Sequence, residues 1–535
     1  MAEEIITPAK PDTSPIKEAL REITQPFIDL IKAPRALWGV ILAYAIEGLS
    51  YFGILTYLAI YFSDYVFQGV AHPDIWSHDM VMVLTAGIAI SMVVFGFVPD
   101  KYGVRKGLIL SFILLLIGRV IFSAAPTIMG LTPNGLWSLL HIISLLGILF
   151  MLLGYGIYQP AAYAAVRQFT TPKTASMGYA MLYAVMNLGS SLVMGAFLLR
   201  DKEYLNLGIT GTFWIFTALT VVSLFTTIFI LSRRTVENAI REAKAETARQ
   251  NENDKTTKVE STKNEVLKQN IKLKDIPVTA WVLMLGILVA IYFRASGSAR
   301  IILSVIILLI PFVIASLPGK NKQKTLNWIV THPLANSKFF FFIFALMPVQ
   351  TLFTYNWLIL PQYISRAYEG WIGNQFEIAS NFNPILIFIL VPVITAVTSR
   401  KNVYNMIMWG TLVMGSSAFI LALGPNFTNL LLYLLMMSVG EAMWSARFLQ
   451  YATEIAPEGK AGLYQGVAQL PWFLTKFLVP LLYSGQMMEL YCPEGGPKNT
   501  SSMWLIFGFI AISTPILLWA TKGWMRKGFK TRAEV

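Results

Sequence analysis

Apolar runs of about twenty residues, broken by short polar stretches, recur from residue 36 to residue 521 of this 535-residue chain. Each is close to the ~20 residues a helix needs to cross a ~30 Å hydrocarbon layer. Strict alternation of apolar and polar positions is absent, so the pattern predicts helices rather than a barrel. Six spans are predicted at 36–62, 81–97, 107–125, 137–159, 175–199 and 211–232. A charged stretch, 233–275, reads as a partly helical linker with no long apolar face. Two shorter apolar runs follow at 276–293 and 301–317. Six more spans are predicted at 339–361, 383–398, 404–423, 429–452, 463–483 and 503–521.

The fold class expected is therefore all-α and integral to a membrane, with about 14 transmembrane helices: two six-helix bundles and an additional pair between them. The expected divisions are an N-terminal segment 1–35, bundles at 36–232 and 338–521, a linker with the helix pair at 233–337, and a tail at 522–535. Residues 14–32 carry Ile16, Leu20, Ile23, Phe27 and Leu30 at helical spacing, which predicts an interfacial helix. The start is acidic and has no apolar core or cleavage site, so no signal peptide is expected. Two six-span halves joined by a long linker suit a transporter that rocks one half against the other.

Composition sharpens this picture. The chain is 55% hydrophobic and 13% charged, with a mean hydropathy of +0.59, against roughly 45–50% and 25% in soluble domains. Its net charge of +13 does not indicate nucleic acid, because the basic residues follow the positive-inside rule. With a cytosolic start, the inside loops hold Lys101, Arg105 and Lys106, then Arg167 and Lys173, the stretch from Arg233, Lys320, Lys322 and Lys324, Arg400 and Lys401, and the tail from Lys522. Arg200, Lys202, Arg294 and Arg300 are exceptions. An even span count puts both termini in the cytosol of a multi-pass protein of the cell membrane. A single cysteine, Cys492, excludes an internal disulfide framework and a cysteine-rich metal site. No metal cluster, nucleophile elbow or phosphate-binding loop is present in the sequence, so neither an enzyme nor a cofactor nor ATP-driven transport is expected.

Candidate chemistry lies in charges placed deep within spans, which cost ~2.5–3.5 kcal/mol each on insertion scales unless they face a cavity or a partner. Glu47 stands in the apolar run 45–54, about 17 Å into the first span at 1.5 Å per residue. Glu441 lies at similar depth in span ten and Lys476 in span eleven, so a Glu441–Lys476 pair is available between antiparallel neighbours. One reading makes that pair structural and Glu47 protonated within the bundle. The favoured reading puts Glu47 in a water-accessible crevice as the proton site, with Lys476 as the substrate's cation. Tyr51, Gln159, Asn187, Gln350, Asn383 and Ser445 are further candidates for the cavity lining, although amides also join transmembrane helices. Arg119, at midplane in span three, is expected to sit outside the cavity in a buried structural pair. Arg447 is within snorkelling reach of the interface, where anchoring or substrate contact are both open. Trp38, Trp137 and Trp524 are expected as interfacial anchors.

Between spans two and three, "GFVPDKYGVRKG" supplies Gly96, Asp100, Lys101, Gly103, Arg105 and Lys106 at the spacing of the loop signature of the major facilitator superfamily. The resemblance implies that fold and a gating role for these six residues. Four further stretches, and an eighth-helix match at "NFNPILIFILVP", resemble the proton-dependent oligopeptide transporters. "YAIEGLSYFG" resembles the first-helix pattern through Glu47, Ser50, Tyr51 and Gly53, and "GYGIYQP" the fourth-helix pattern. "LYAVMNLGS" retains Tyr183, Asn187, Gly189 and Ser190, and the tenth-helix pattern appears as Glu441, Ser445 and Ala456-Pro457. The implied activity is proton-coupled uptake of a peptide or related small polar organic solute by alternating access. The chain departs from the family at Tyr44, Gly48 and Gln159, where the pattern has glutamate, arginine and lysine. These changes point towards a modified peptide or amino-acid conjugate rather than ordinary di- and tripeptides. A transport-inactive receptor or scaffold on the same fold, and an uncoupled facilitator or exporter, are the alternatives.

Overall fold

The computed structural model describes residues 34–170, 172–253, 272–294, 297–398, 401–454, 464 and 467–526. The expected interfacial helix at 14–32, linker residues 254–271 and Ala456-Pro457 lie outside the described residues, as does the Tyr183 side chain. Every described regular element is helical. Among the described residues, nine helices are long and apolar enough to cross a membrane. Four shorter apolar helices and the run 470–491 bring the described spans to the expected fourteen.

The first six spans are α1 (Arg35–Ile60), α2 (Pro73–Phe95), α3 (Val104–Ala124), α4 (Leu139–Phe169), α5 (Pro172–Leu192, continued by Val193–Ala196 and Phe197–Arg200) and α6 (Gly208–Ile230). A π-helical turn, Tyr61–Val66, extends α1. Two boundaries differ instructively from those expected. Helix α2 starts two turns before residue 81, because Pro73 at its first turn presets the backbone although Asp74, Ser77 and His78 lower the hydropathy there. Helix α4 runs through Pro160 to Phe169 instead of ending at Gln159; prolines are tolerated within membrane helices when neighbouring groups satisfy the freed carbonyl.

Close packing fixes the α3–α4 pair. A Cβ built on Gly118 would lie 2.6 Å from the Gly147 carbonyl oxygen, and one on Gly147 would lie 2.8 Å from the Gly118 oxygen. Both neighbours are backbone, so neither can step aside, and small residues at such crossings are what membrane helices use to approach. Gly118→Val should therefore lower the melting temperature of the purified protein sharply, overpacking costing about 1–3 kcal/mol. Gly286→Ala, at a position with open space around it, should leave it unchanged; equal melting of the two variants would contradict this packing.

The linker opens with α7 (Arg233–Asn253), then come α8 (Val278–Arg294) and α9 (Gly297–Ser316). An additional helix that the apolar pattern does not predict, α10 (Gly319–Thr331), is amphipathic, with Lys320 and Lys324 exposed and Lys322 half-buried. The second six-span set begins with a broken helix: α11 (Ser337–Ala345), α12 (Met347–Leu358) and α13 (Leu360–Ala367). It continues with α14 (Asn383–Val397), α15 (Val403–Leu421), α16 (Phe427–Glu454), α17 (Leu470–Val479) and α18 (Thr500–Arg526). A second π turn, Pro480–Ser484, and the helix Gly485–Tyr491 prolong α17.

By contact the chain divides into two compact units. One comprises Met1–Lys255, Pro348–Phe448 and Trp472–Pro515; the other comprises Thr256–Met347, Leu449–Pro471 and Ile516–Val535. The first holds most of both expected bundles, and within it α14 packs on α5 and the segment after α17 packs on α2.

Candidate functional site

Three polar clusters occupy the apolar interior of the first unit. The first surrounds Glu47, midway along α1 and fully buried. Arg119 of α3 grips its carboxylate with both terminal nitrogens, Nη2 to Oε1 at 2.5 Å and Nη1 to Oε2 at 3.0 Å. The Tyr155 hydroxyl donates to Glu47 Oε1 at 2.5 Å and receives from Arg119 Nη2 at 2.6 Å, and Thr220 receives from Nη1. Both charged side chains are 1% exposed. Tyr51 packs edge-on to Tyr155 at 5.1 Å. Planar, two-pronged pairing of this kind is the strongest form of ion pair available to a buried carboxylate.

This arrangement corrects the expectation that Glu47 faces a water-accessible crevice. It also supplies the partner that the surrounding sequence does not contain, since Arg119 is 72 residues away. The expectation of a buried structural pair for Arg119 fits this contact, although its partner was not foreseen. Arg119 thus brings a guanidinium to the first helix at Glu47, on another side from Gly48, whose built Cβ would meet Met186 of α5.

The second cluster lies in the other half of the first unit. Asn383, at the start of α14, donates at 3.0 Å to Glu441 Oε2 and at 3.0 Å to Ser438. Glu441 is 7% exposed and makes no ion pair among the described residues. The expected Glu441–Lys476 pair does not form: Lys476 Nζ instead sits 3.8 Å from the Trp472 ring centroid on its own helix. Two opposite charges thus stand in one half without engaging each other. Gln350 is buried with Oε1 lacking a hydrogen-bond partner among the described residues. Gln159, Asn187 and Ser445 are half-buried. Arg447 is buried and donates to Thr398 at 3.3 Å, so it does not extend to the surface as a snorkelling side chain would.

The third cluster was not read from the sequence. It joins the two halves at the end where α1 leads into α2. Arg366 of α13 holds Asp74 of α2 with Nη1–Oδ2 at 2.7 Å and Nη2–Oδ1 at 2.8 Å, and reaches Asp64 at 3.2 Å. His78, one turn on from Asp74 and fully buried, bridges Gln362 at 2.8 Å and Ser484 at 2.6 Å. Gln362 passes the contact on to Ser63 at 3.1 Å. Nearby, Glu377 is fully buried and receives from Tyr57 at 2.7 Å and from Arg200 Nε at 2.7 Å. Arg200 broke the charge rule of the loops because its partner is a buried carboxylate. The signal available was the pair Asp74 and His78 at i, i+4 on one helix face, which low hydropathy placed outside the predicted span.

The six loop-signature residues lie at the opposite end. Gly103 has φ +90°, a left-handed backbone that suits glycine alone. Arg105 Nε donates to the Leu231 carbonyl at the end of α6 at 2.6 Å. Asp100 meets Arg167 at 3.8 Å with both side chains largely exposed, a contact of little energetic weight, and both belong to the first half. Gly96 caps α2, Lys101 lies 5.3 Å from the Tyr102 ring, and Lys106 is exposed. Trp38, Trp137 and Trp524 are exposed at helix ends.

The profile of the Major Facilitator Superfamily matches residues 75–480. No curated protein sequence matches the chain. Among solved structures, a peptide transporter POT in complex with sulfate superimposes with a TM-score of 0.62 at 17% identity, covering 93% of this chain and 96% of that one. A POT family transporter solved in meso gives 0.62 at 17% identity, covering 92% and 98%. Another POT family transporter, in complex with 5-aminolevulinic acid, gives 0.58 at 15% identity, covering 92% and 97%. At these identities the likeness concerns the fold.

Proposed function

We propose that this chain, which belongs to the Major Facilitator Superfamily, is a proton-coupled carrier of a short peptide or related small polar organic solute. The observation that carries the reading is the layer of buried polar contacts joining the halves at one end, from Arg366–Asp74 through His78–Gln362–Ser484 to Arg200–Glu377. Such a layer forms or breaks as a unit when two rigid halves rock, which is the bistable element alternating access requires. By the charge pattern of the loops, the sealed end faces outward and both termini face the cytosol. The loop signature at the opposite end then acts as the gate of the inner face, as its resemblance implies.

Glu441 and Lys476 offer an anion and a cation with no opposing charge engaged, which complements a solute carrying an amine and a carboxylate. Solved proteins of this fold have been captured with 5-aminolevulinic acid and with a thioalcohol-conjugated peptide. On this reading Asn383, which donates to Glu441, orients that carboxyl, and Gln350, Gln159, Asn187, Tyr51 and Ser445 are the further polar side chains assigned to the solute's path. The proton is placed on Glu441 rather than on Glu47. Glu441 can take up or release it while breaking no ion pair, whereas Glu47 would first have to part from Arg119. The sealed state of Glu47 also favours a second reading, an uncoupled facilitator.

Reconstitution into liposomes separates these. With an acid exterior, uptake of labelled peptides and amino-acid conjugates should exceed equilibrium. Glu441→Gln should abolish that accumulation and keep counterflow exchange. Uptake that ignores the pH gradient would establish the facilitator, and absence of any solute movement would leave a receptor or scaffold.

A further inference from the structure

Helices α8, α9 and α10 enclose a groove of ≈ 310 Å³ that takes no part in the polar clusters. Its walls are apolar, with Trp281 and Met284 from α8, Ile310 and Ile314 from α9, and Trp328 from α10. The groove lies at one end of the helix pair, since it reaches from the first residues of α8 to the last turn of α9.

Lysines gather at that same end. Lys272 and Lys274 immediately precede the groove residue Ile276 and are exposed. Lys320 and Lys324 fall eight and four residues before Trp328, so all three share one face of α10. Lys322 Nζ donates to the Ala315 carbonyl at 3.1 Å, next to groove residue Ile314. Asp275 is the acid among them, and its carboxylate receives the Lys272 amide at 2.9 Å. An apolar slot between membrane helices with a cationic rim at the polar boundary matches both parts of one molecule: an acyl chain and an anionic headgroup. Charge sets the choice, because a zwitterionic lipid would leave the rim uncompensated.

We propose that this groove is a binding site for an anionic phospholipid, its acyl chain between α8 and α9 and its phosphate on the α10 lysines. The additional helix pair is thereby a lipid-sensing attachment to the carrier. A lysine near such a surface contributes about fivefold in affinity for an anionic lipid.

The purified full-length protein in detergent tests this by native mass spectrometry, with phosphatidylglycerol and phosphatidylcholine of identical chains added in equal amounts. Retention of phosphatidylglycerol should exceed that of phosphatidylcholine by at least about fivefold. Lys320→Gln with Lys324→Gln should bring the ratio close to one without changing the melting temperature. Ala280→Phe, which fills the groove, should lower retention of both lipids and keep their ratio. Equal retention by the unaltered protein would overturn the proposal, as would a preference that survives the lysine changes or retention unaffected by Ala280→Phe. Equal thermal stabilisation by glycerol 3-phosphate would also overturn it, by showing an anion site that needs no acyl chain.

Discussion

Arg119→Ala is expected to leave almost no folded protein in the membrane. The change strands the Glu47 carboxylate in an apolar bundle with only the Tyr155 hydroxyl donating to it. Removing one partner of a buried ion pair costs about 3–5 kcal/mol, against a total stability of about 5–15 kcal/mol. The double change Glu47→Gln with Arg119→Gln should recover most of the loss, since neutral side chains of similar size place no charge in the bundle. Detergent-extracted protein followed by size-exclusion chromatography and thermal melting reads both variants. Normal yield and melting of Arg119→Ala would show that the pair does not hold α1 to α3.

Arg366→Ala is expected to loosen the sealed end, and Cys492 reports it. The thiol is fully buried beside the layer, and Arg366 Nη1 donates to the Cys492 carbonyl at 3.2 Å. Burial pushes the thiol up to about 11, with Arg366 and Lys498 opposing that rise. The thiolate is the reactive form. Deleting Arg366 removes an influence that favours thiolate, so at fixed pH the chemistry alone would slow labelling by a maleimide. Faster labelling therefore means exposure. Truncating one partner of such a pair costs about 2–5 kcal/mol, enough for a rise of roughly thirtyfold or more in the open population. Arg366→Lys should stay closer to the unaltered protein. Labelling of Arg366→Ala no faster than that of the parent would remove this contact from the seal.

Span positions were legible because a helix in hydrocarbon must satisfy its backbone internally, so length and hydropathy leave few choices. Depth was legible for the same reason: Glu47, Glu441 and Arg119 all lie inside the bundles as counted. Pairing was not. Glu47 reads as an unpaired carboxylate, yet its partner Arg119 comes from α3, 72 residues on, and no spacing along the chain brings the two together. Glu441 and Lys476 matched in depth but not in direction, and depth is all that residue counting along two helices supplies. The sealing layer escaped because its members stand where spans begin and end. There a charge reads as a loop residue whether it meets water or a carboxylate on another helix.

The two π turns set the aim of the sealing layer. Tyr61–Val66 supplies Ser63 and Asp64, and Pro480–Ser484 supplies Ser484. A π turn holds one residue more than an α turn, so everything beyond it is rotated by about 100° relative to an unbroken helix. Helices one residue shorter at each place would aim these side chains elsewhere. Removing one residue at either turn should therefore unlock the halves without changing any residue of the layer.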